Sequence, residues 1–490
     1  MKVRVRCLIL VFLGINFCGL IFILQKHVSH MVPLPALRHT LARITSPEIR
    51  KKQASHSSAT MVRHKVLYEG EIFRQCTNLT IPFEVEDKQI WQRISSGDSM
   101  YVFSAFLDGD KVRCIGVSLR SKLDNVLCYL HYHDSVSDDY WTHIVQGKVV
   151  FIPEDHGRRY TASFYHCPKP DEKNPYAISL VNKKCQRPLN IMKILGITEY
   201  HKKRTFSVCV TPLNFHYDRA YEIVEWMALN YIYGADYITF YNYSSADNVK
   251  KVIDLFSMRG LAETVDWKLP MQVDTWPPSY TPVEIHYFAQ LAALNDCFYR
   301  NRFKSQYIVF IDLDEFIVPR SKDIYSWNAM LSLLPKSSVY KFRNTFFRKE
   351  WPSLNLSDPK YVDLLNTSVD MNAIVTPSKI DAANKYRLVT LLKLQREDKI
   401  LPDGSRSKQI VHSSAIETIG IHHVCHMKPN QIVHVVSEEV ALLHHYRDWE
   451  NPNDKTPRKI DYTMLKFLDK LIANVTEIWK QLPEVPLEER

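Results

Sequence analysis

Two rhythms of apolar residues run along this chain. Between Val66 and about Tyr200, short apolar or alternating runs such as Met100-Tyr101-Val102-Phe103-Ser104-Ala105-Phe106, Val112-Arg113-Cys114-Ile115-Gly116-Val117 and Val126-Leu127-Cys128-Tyr129-Leu130 are separated by polar turns. Runs of this length predict β-strands and, together, a small β-rich accessory domain over residues 66–200. Over residues 201–490, strand-like runs alternate with helix-period segments. That alternation predicts an α/β fold with a central, mostly parallel sheet and crossover helices. Phe206 to Thr211 reads as a strand, and Tyr221 to Tyr233 as a helix with Ile223, Met227 and Ile232 on its apolar face and Gly234 as its stop. Tyr237 to Tyr241 is a second strand, Asp247 to Met258 a helix ended before Gly260, and Leu261 to Trp267 a third strand. A longer helix is expected from about Val283 to Arg300, because Tyr287, Leu291, Leu294 and Phe298 recur at i, i+4, i+7 and i+11. Tyr307-Ile308-Val309-Phe310-Ile311 is an unbroken apolar run, as a strand covered on both faces requires.

The amino terminus follows neither rhythm. Lys2, Arg4 and Arg6 precede an apolar run from Cys7 to Leu24, interrupted only by Asn16, which is about one bilayer thickness of helix. A cleavable signal peptide would end in small residues, whereas Leu24-Gln25-Lys26-His27 follows, so residues 7–24 read as an uncleaved transmembrane signal anchor. The cations ahead of it keep residues 1–6 as a cytosolic tail and put everything beyond on the other side. Residues 25–65, rich in Ser, His, Pro and basic side chains without a sustained apolar period, read as a stem.

Charge follows the same division. The net +10 resides in residues 1–65, which hold eleven Lys/Arg against one acid, Glu48; the other 425 residues carry 52 of each sign. A neutral body lacks the clustered basic footprint that phosphate-backbone binding needs, which argues against nucleic acid as a partner. Of ten cysteines, Cys7 and Cys18 lie in the anchor, leaving Cys76, Cys114, Cys128, Cys167, Cys185, Cys209, Cys297 and Cys425. An even count suits a lumenal disulfide framework, although spacing does not reveal the pairing, and no C-x₂-C pair supports structural zinc. Five glycosylation triplets, at Asn78, Asn242, Asn355, Asn366 and Asn474, are compatible with the same topology.

The chemistry concentrates where the buried strand ends, in Asp312-Leu313-Asp314-Glu315-Phe316. Ligands of open α/β sheets bind beyond the carboxyl ends of the strands, so these acids stand where a site is expected. Two carboxylates at a strand-to-turn transition can converge on one hard cation, Mn²⁺ or Mg²⁺, which would neutralise a diphosphate leaving group. A solvated acidic turn is the plainer reading of an arbitrary D-x-D, but five apolar residues before it and Phe316-Ile317-Val318 after it favour a functional one.

The segment Tyr307 to Pro319, together with FSVCVTPLN, EIVEWMALNYIYGADYITFYN, AQLAALNDC and the closing ALLHHYR, resembles glycosyltransferase family 92 over roughly residues 65–450. The resemblance implies a GT-A-like nucleotide-sugar domain and inverting galactosyl transfer from UDP-galactose to a glycan hydroxyl with manganese. With the anchor, it implies a single-pass type II Golgi membrane protein whose catalytic domain is lumenal and acts on glycoprotein or glycolipid glycans. Asp312 and Asp314 would then be the metal and diphosphate carboxylates, with Thr211 and Pro212 bordering the nucleotide pocket and Asp296 a further candidate to face it. Among the late histidines His412, His422, His423, His426, His434, His444 and His445, the metal candidates are His445 first and His422 second, while Lys408 and Arg447 would meet the diphosphate. Glu315, Glu397, Asp398 and Glu417 all remain open as the general base. The sequence departs from the family at SKQIVHSSAI, where Arg-Pro-Glu is expected after Ile-Val, so no acceptor or base role carries over to that loop.

Two other classes stay in view. A haloacid-dehalogenase-like phosphatase also ends a buried strand in D-x-D, but Phe316 stands where that motif wants Thr or Val. A non-catalytic lumenal glycan-binding protein would keep the fold without turnover, which the intact Asp312 and Asp314 argue against. Topology has its own test: the full-length chain expressed in cultured cells should sediment with membranes and lose mass on amidase deglycosylation. A soluble, unglycosylated cytosolic product would overturn it.

Overall fold

Covered on both faces, the run ending in Ile311 forms the strand Ser305–Phe310 in the middle of a seven-stranded sheet. The computed structural model describes residues 64–68, 71–72, 85–121, 125–197, 204–353, 375–448 and 455–487. These lie in one compact unit reaching from Val62 to Arg490. The tail, the apolar run Cys7–Leu24 and almost all of the stem fall outside the described residues, among which no helix is long and apolar enough to cross a membrane.

The strands Ala262–Asp266, Tyr237–Asn242, Arg204–Cys209 and Ser305–Phe310 run parallel in that spatial order, joined by helices as the alternation predicts. Lys408–His412 then pairs antiparallel with Ser305–Phe310, and Val339–Phe342 and Val433–Val435 complete the sheet. The helix Ala220–Tyr233 stops at Gly234, whose φ of 107° only glycine adopts without strain and whose N–H closes on the Asn230 and Tyr231 carbonyls, 3.1 Å each.

After Phe310 the chain leaves this sheet, makes the acidic turn and enters a second, five-stranded sheet as Glu315–Pro319. There Glu315–Pro319 lies antiparallel to Ala441–Arg447, which lies parallel to Asn344–Arg348. The strand pair Val339–Phe342 and Asn344–Arg348 makes the same crossing between sheets. The acidic turn is therefore clamped at a seam between sheets.

One helix differs from its sequence reading. It spans Gln290–Asn301, seven residues later than the periodicity predicts, because Tyr287, Phe288 and Ala289 take φ values of 36°, 55° and 57°. A left-handed turn cannot continue into a right-handed helix. All twelve helical residues are buried, so the apolar spacing marks a helix covered on every side rather than an amphipathic face. Its coverings come from both rhythms of the sequence. Phe106 and Phe164, from the ten-stranded sheet built between His64 and Leu195, pack on Tyr299 with ring centroids 5.6 and 6.0 Å away. Phe103 meets Trp267 at 4.5 Å, so the β-rich and α/β parts share one core.

Cys209, at the end of the first parallel strand, is disulfide-bonded to Cys297 on this helix, and Cys128 to Cys167 within the β-rich part. Cys185 is also disulfide-bonded, while Cys114 and Cys425 are free thiols. Of the glycosylation triplets, Asn474 is exposed, whereas Asn242 closes a strand with its Oδ1 buried, a poor acceptor. Asn78, Asn355 and Asn366 lie outside the described residues. Replacing Cys209 and Cys297 together by Ala should lower the unfolding free energy in urea by about 2–5 kcal/mol, since the bridge closes a long loop. An unchanged urea midpoint would show that core packing alone holds this helix.

Candidate functional site

The seam between the sheets places five titratable side chains, Asp312, Lys408, Glu315, His445 and Asp314, in one chain of contacts. Lys408, on the antiparallel strand beside Ser305–Phe310, has a side chain only 2% exposed; its Nζ lies 2.9 Å from Asp312 Oδ2 and 3.3 Å from Glu315 Oε2. Glu315 Oε2 also accepts the Asp312 backbone N–H at 3.0 Å, which closes the turn on itself. The indole N–H of Trp226 reaches the carbonyls of Asp312 and Glu315 at 3.0 and 3.3 Å and so ties the turn to the helix Ala220–Tyr233. On the other side, the register pairs Glu315 with His445. His445 Nε2 stands 3.1 Å from Asp314 Oδ2 and its Nδ1 3.3 Å from Glu315 Oε1, with the Asn344 amide also 3.1 Å from Nδ1.

These contacts set the protonation states. Burial pushes the Glu315 carboxyl up to about 7; Asp312 adds to the rise, while Lys408 and His445 oppose it. Lys408 is raised despite its burial, because two carboxylates face it. Burial would also raise Asp314, but the charge and hydrogen bond of His445 prevail and hold it below the usual carboxylate range. His445, whose burial favours the neutral ring, is raised by the same pair.

Above this turn opens a cleft of about 660 Å³ at the carboxyl ends of the parallel strands. Of the residues singled out in the sequence, Asp312, Asp314, His445, His422, Thr211, Pro212 and Arg447 come together in its lining. Three other expectations are corrected. Lys408 does not reach the cleft; it lies buried behind Asp312, so it neutralises the turn instead of meeting a diphosphate. Glu315 is 1% exposed and also lies behind the lining, where it positions the turn and His445. Asp296 is fully buried in the shared core, holding Ser104 Oγ, Tyr241 OH at 2.5 Å and Arg300 Nε at 2.5 Å, and does not line the cleft.

Of the remaining base candidates, Glu397 is engaged by Arg348 at 2.5 Å, and neither Asp398 nor Glu417 lines the cleft. His444, one residue from His445 on the same strand, points the opposite way and stacks on Phe347; burial drives its ring down to about 3, so it stays neutral. Sequence reasoning missed the cleft's other cations, Arg219, Lys349 and Arg406. Lys349 and Arg219 flank Glu222, Lys349 at 2.8 Å and Arg219 at 3.5 Å, and Tyr217 OH donates to the same carboxylate at 2.8 Å. Only the EIVEWMALN segment, which contains Glu222, hinted at this face.

The donors suit a hard cation only when a substrate completes the set. Asp312 Oδ1 and His422 Nδ1 are buried atoms with no hydrogen-bond partner among the described residues, and both residues line the cleft. Burial, with Lys408 nearby, lowers His422 to about 4 and keeps its ring neutral, as a metal ligand must be. Among the described residues no three His, Cys, Asp or Glu side chains converge into a closed cage. Magnesium-like ions at diphosphates use one or two carboxylates plus substrate oxygens, which is what this lining offers.

The titrations have a consequence for stability. Glu315 has a folded pKa of about 7 against an ordinary 4.5, so its proton favours folding at low pH and that contribution is lost as pH rises towards 7. His445, also raised, loses its contribution as pH rises beyond 6.5. Asp314, lowered, acts oppositely and only below its ordinary 3.8. In EDTA the unfolding free energy should therefore fall from pH 5 to pH 8, with a flatter slope in Glu315→Gln. Equal slopes in both proteins would remove Glu315 from this account.

Comparison with known proteins adds to this geometry. The family model described as glycosyltransferase family 92 matches residues 204–488, which is more than half of the chain. The β-1,4-galactosyltransferase galt-1 of Caenorhabditis elegans is 33% identical over 129 residues, 26% of this chain and 28% of its own length. The glycosyltransferase family 92 protein F13G3.3 of the same organism is 24% identical over 120 residues, 24% of each chain. The matched segments thus span about a quarter of either relative. Among solved structures, S. aureus TarS 1-349 in complex with UDP-GlcNAc overlaps 57% of this chain and 71% of its own at 11% identity, but a TM-score of 0.26 decides nothing about fold or ligand. With a family model covering the parallel sheet, the acidic turn and the strand that carries His445, this chain belongs to glycosyltransferase family 92.

Proposed function

We propose that this glycosyltransferase moves galactose from UDP-galactose to a glycan hydroxyl with inversion, assisted by Mn²⁺ or Mg²⁺. It would work in the Golgi lumen, anchored by residues 7–24. The observation that carries the reading is the acidic turn Asp312–Glu315, held rigid by Lys408 and Trp226 on the floor of a cleft rimmed by Lys349, Arg219, Arg406 and Arg447. Such a cleft, with carboxylates beneath and cations around, suits an anionic diphosphate bridged to a cation. The galactose donor rests on the family resemblance and on the relative named a β-1,4-galactosyltransferase. The disulfides Cys128–Cys167 and Cys209–Cys297 support an oxidising compartment such as the secretory lumen.

In an inverting transfer the acceptor oxygen attacks the anomeric carbon from the face opposite the nucleotide. The bond to the diphosphate oxygen breaks with its electron pair, and the hydroxyl proton passes to a base. Asp312, Asp314 and His445 or His422 would hold the metal, with substrate oxygens completing its shell. When bound, that ion supplies charge stabilisation to the departing diphosphate. Lys408 and Glu315 keep Asp312 oriented beneath it, and before a metal binds the charge of His445 keeps Asp314 ionised.

Activity should vanish in EDTA and return with Mn²⁺. Asp312→Asn and Asp314→Asn should each lower kcat by about a hundredfold or more with the fold intact, and His445→Ala should raise the Mn²⁺ concentration for half-activity more than His422→Ala does. Full activity in EDTA would overturn the metal mechanism. Much faster turnover of another nucleotide sugar would overturn the galactose donor and leave the rest.

A further inference from the structure

Beside the cleft lies a second hollow of about 450 Å³, and the two share Phe215, His286 and Tyr287 in their walls. Its outer wall is the arm between Gln272 and Glu284. The neck of that arm is pinned: Glu284 N donates to Gln272 O at 2.9 Å, Gln272 N to Glu284 Oε2 at 3.0 Å, and Arg159 of the β-rich part grips the Glu284 carboxylate. Tyr160 N adds a bond to Glu284 O at 2.8 Å. The arm is thus a built projection. Its tip carries Trp276, 80% exposed, and the neighbouring Tyr280 is fully exposed. Trp276 alone among the described tryptophans is exposed, and it lines the hollow.

Resting on the transferase reading above, we infer that this hollow is the acceptor subsite, and that a neutral oligosaccharide stacks a sugar ring on Trp276 and extends along the arm. A pyranose presents one face of axial C–H bonds and a rim of hydroxyls. An aromatic face takes the first and polar edges take the second. Trp276 supplies the face; Asp274, Ser279 and Arg158 in the same walls supply the edges. Because the hollow and the cleft share Phe215, His286 and Tyr287 in their walls, an acceptor held in the hollow would present a hydroxyl next to the donor's side of the cleft. The left-handed turn at Tyr287–Ala289 shapes that junction, and non-glycine residues hold such backbone only where the surroundings enforce it. A peptide or lipid occupant would want a longer apolar strip than this mixed wall offers.

The test uses the full-length protein, UDP-galactose and other UDP-sugars, and a panel of neutral oligosaccharides ending in galactose, fucose or N-acetylglucosamine. Trp276→Ala should raise the acceptor KM by about tenfold or more, as loss of a central aromatic anchor does, while the donor KM moves less than twofold; Trp276→Phe should recover much of the loss. Asp274→Asn, a change that spares the arm's neck, should change preference among the panel glycans. An acceptor KM unchanged in Trp276→Ala, with donor turnover intact, overturns the subsite alone. Turnover of a donor without transfer to any panel glycan overturns the neutral-glycan occupant, and no turnover of any nucleotide sugar by the unaltered protein overturns the transferase reading together with it.

Discussion

A buried ammonium between two carboxylates is the interaction on which this site depends. Lys408 has surrendered its water, and only the charges of Asp312 and Glu315 make that tolerable. In exchange it fixes the conformation of the turn. Asp312 is drawn back against Lys408 with one oxygen left without a partner among the described residues, Glu315 is drawn inward to receive the Asp312 N–H, and Asp314, between them, stays 37% exposed at the cleft floor. A turn carrying three acids would otherwise repel itself apart.

The seam between the sheets explains why these groups meet. The strand ending at Phe310 belongs to one sheet and the strand starting at Glu315 to the other, so four residues must turn the chain between them. Lys408 comes from the first sheet and His445 from the second, each reaching the turn from its own side. Trp226 braces it from below. The side chains most rigidly held are therefore those behind the cleft, while the surface facing a ligand is left to Asp314, His445 and the cations around the rim.

The same economy of buried charge recurs in the shared core. Asp296 and Arg300 pair on the helix Gln290–Asn301, Ser104 joins them from the β-rich part and Tyr241 from the parallel sheet, and Asp87 takes the outer edge of Arg300 at 3.0 Å. This polar cluster holds one registry between the two parts. It also carries the arm bearing Trp276 into position, because the arm leaves the parallel sheet and returns into this helix.

How much of this was written in the sequence depends on the range of each interaction. Local patterns determined the elements: period-two and helix-period runs marked the strands and helices, Gly234 its helix end, and the acids after a five-residue apolar run marked the site. The alternation along a strand meant that His444 and His445 could not serve the same face, but not which of them meets the acids. That was decided by Asp314 and His445, 131 residues apart, and by Lys408 and Asp312, 96 apart. In sequence Asp296, Glu315 and Lys408 read as groups that face the site, because a charged side chain reveals nothing of its burial until its partner is known. The late helix start was likewise decided by a left-handed turn of ordinary residues, Tyr287 to Ala289, which no local preference announces. Pattern determines the secondary structure because it acts between neighbours, whereas the pairing of buried charges is set by sheet order and register, which exist only in the folded chain.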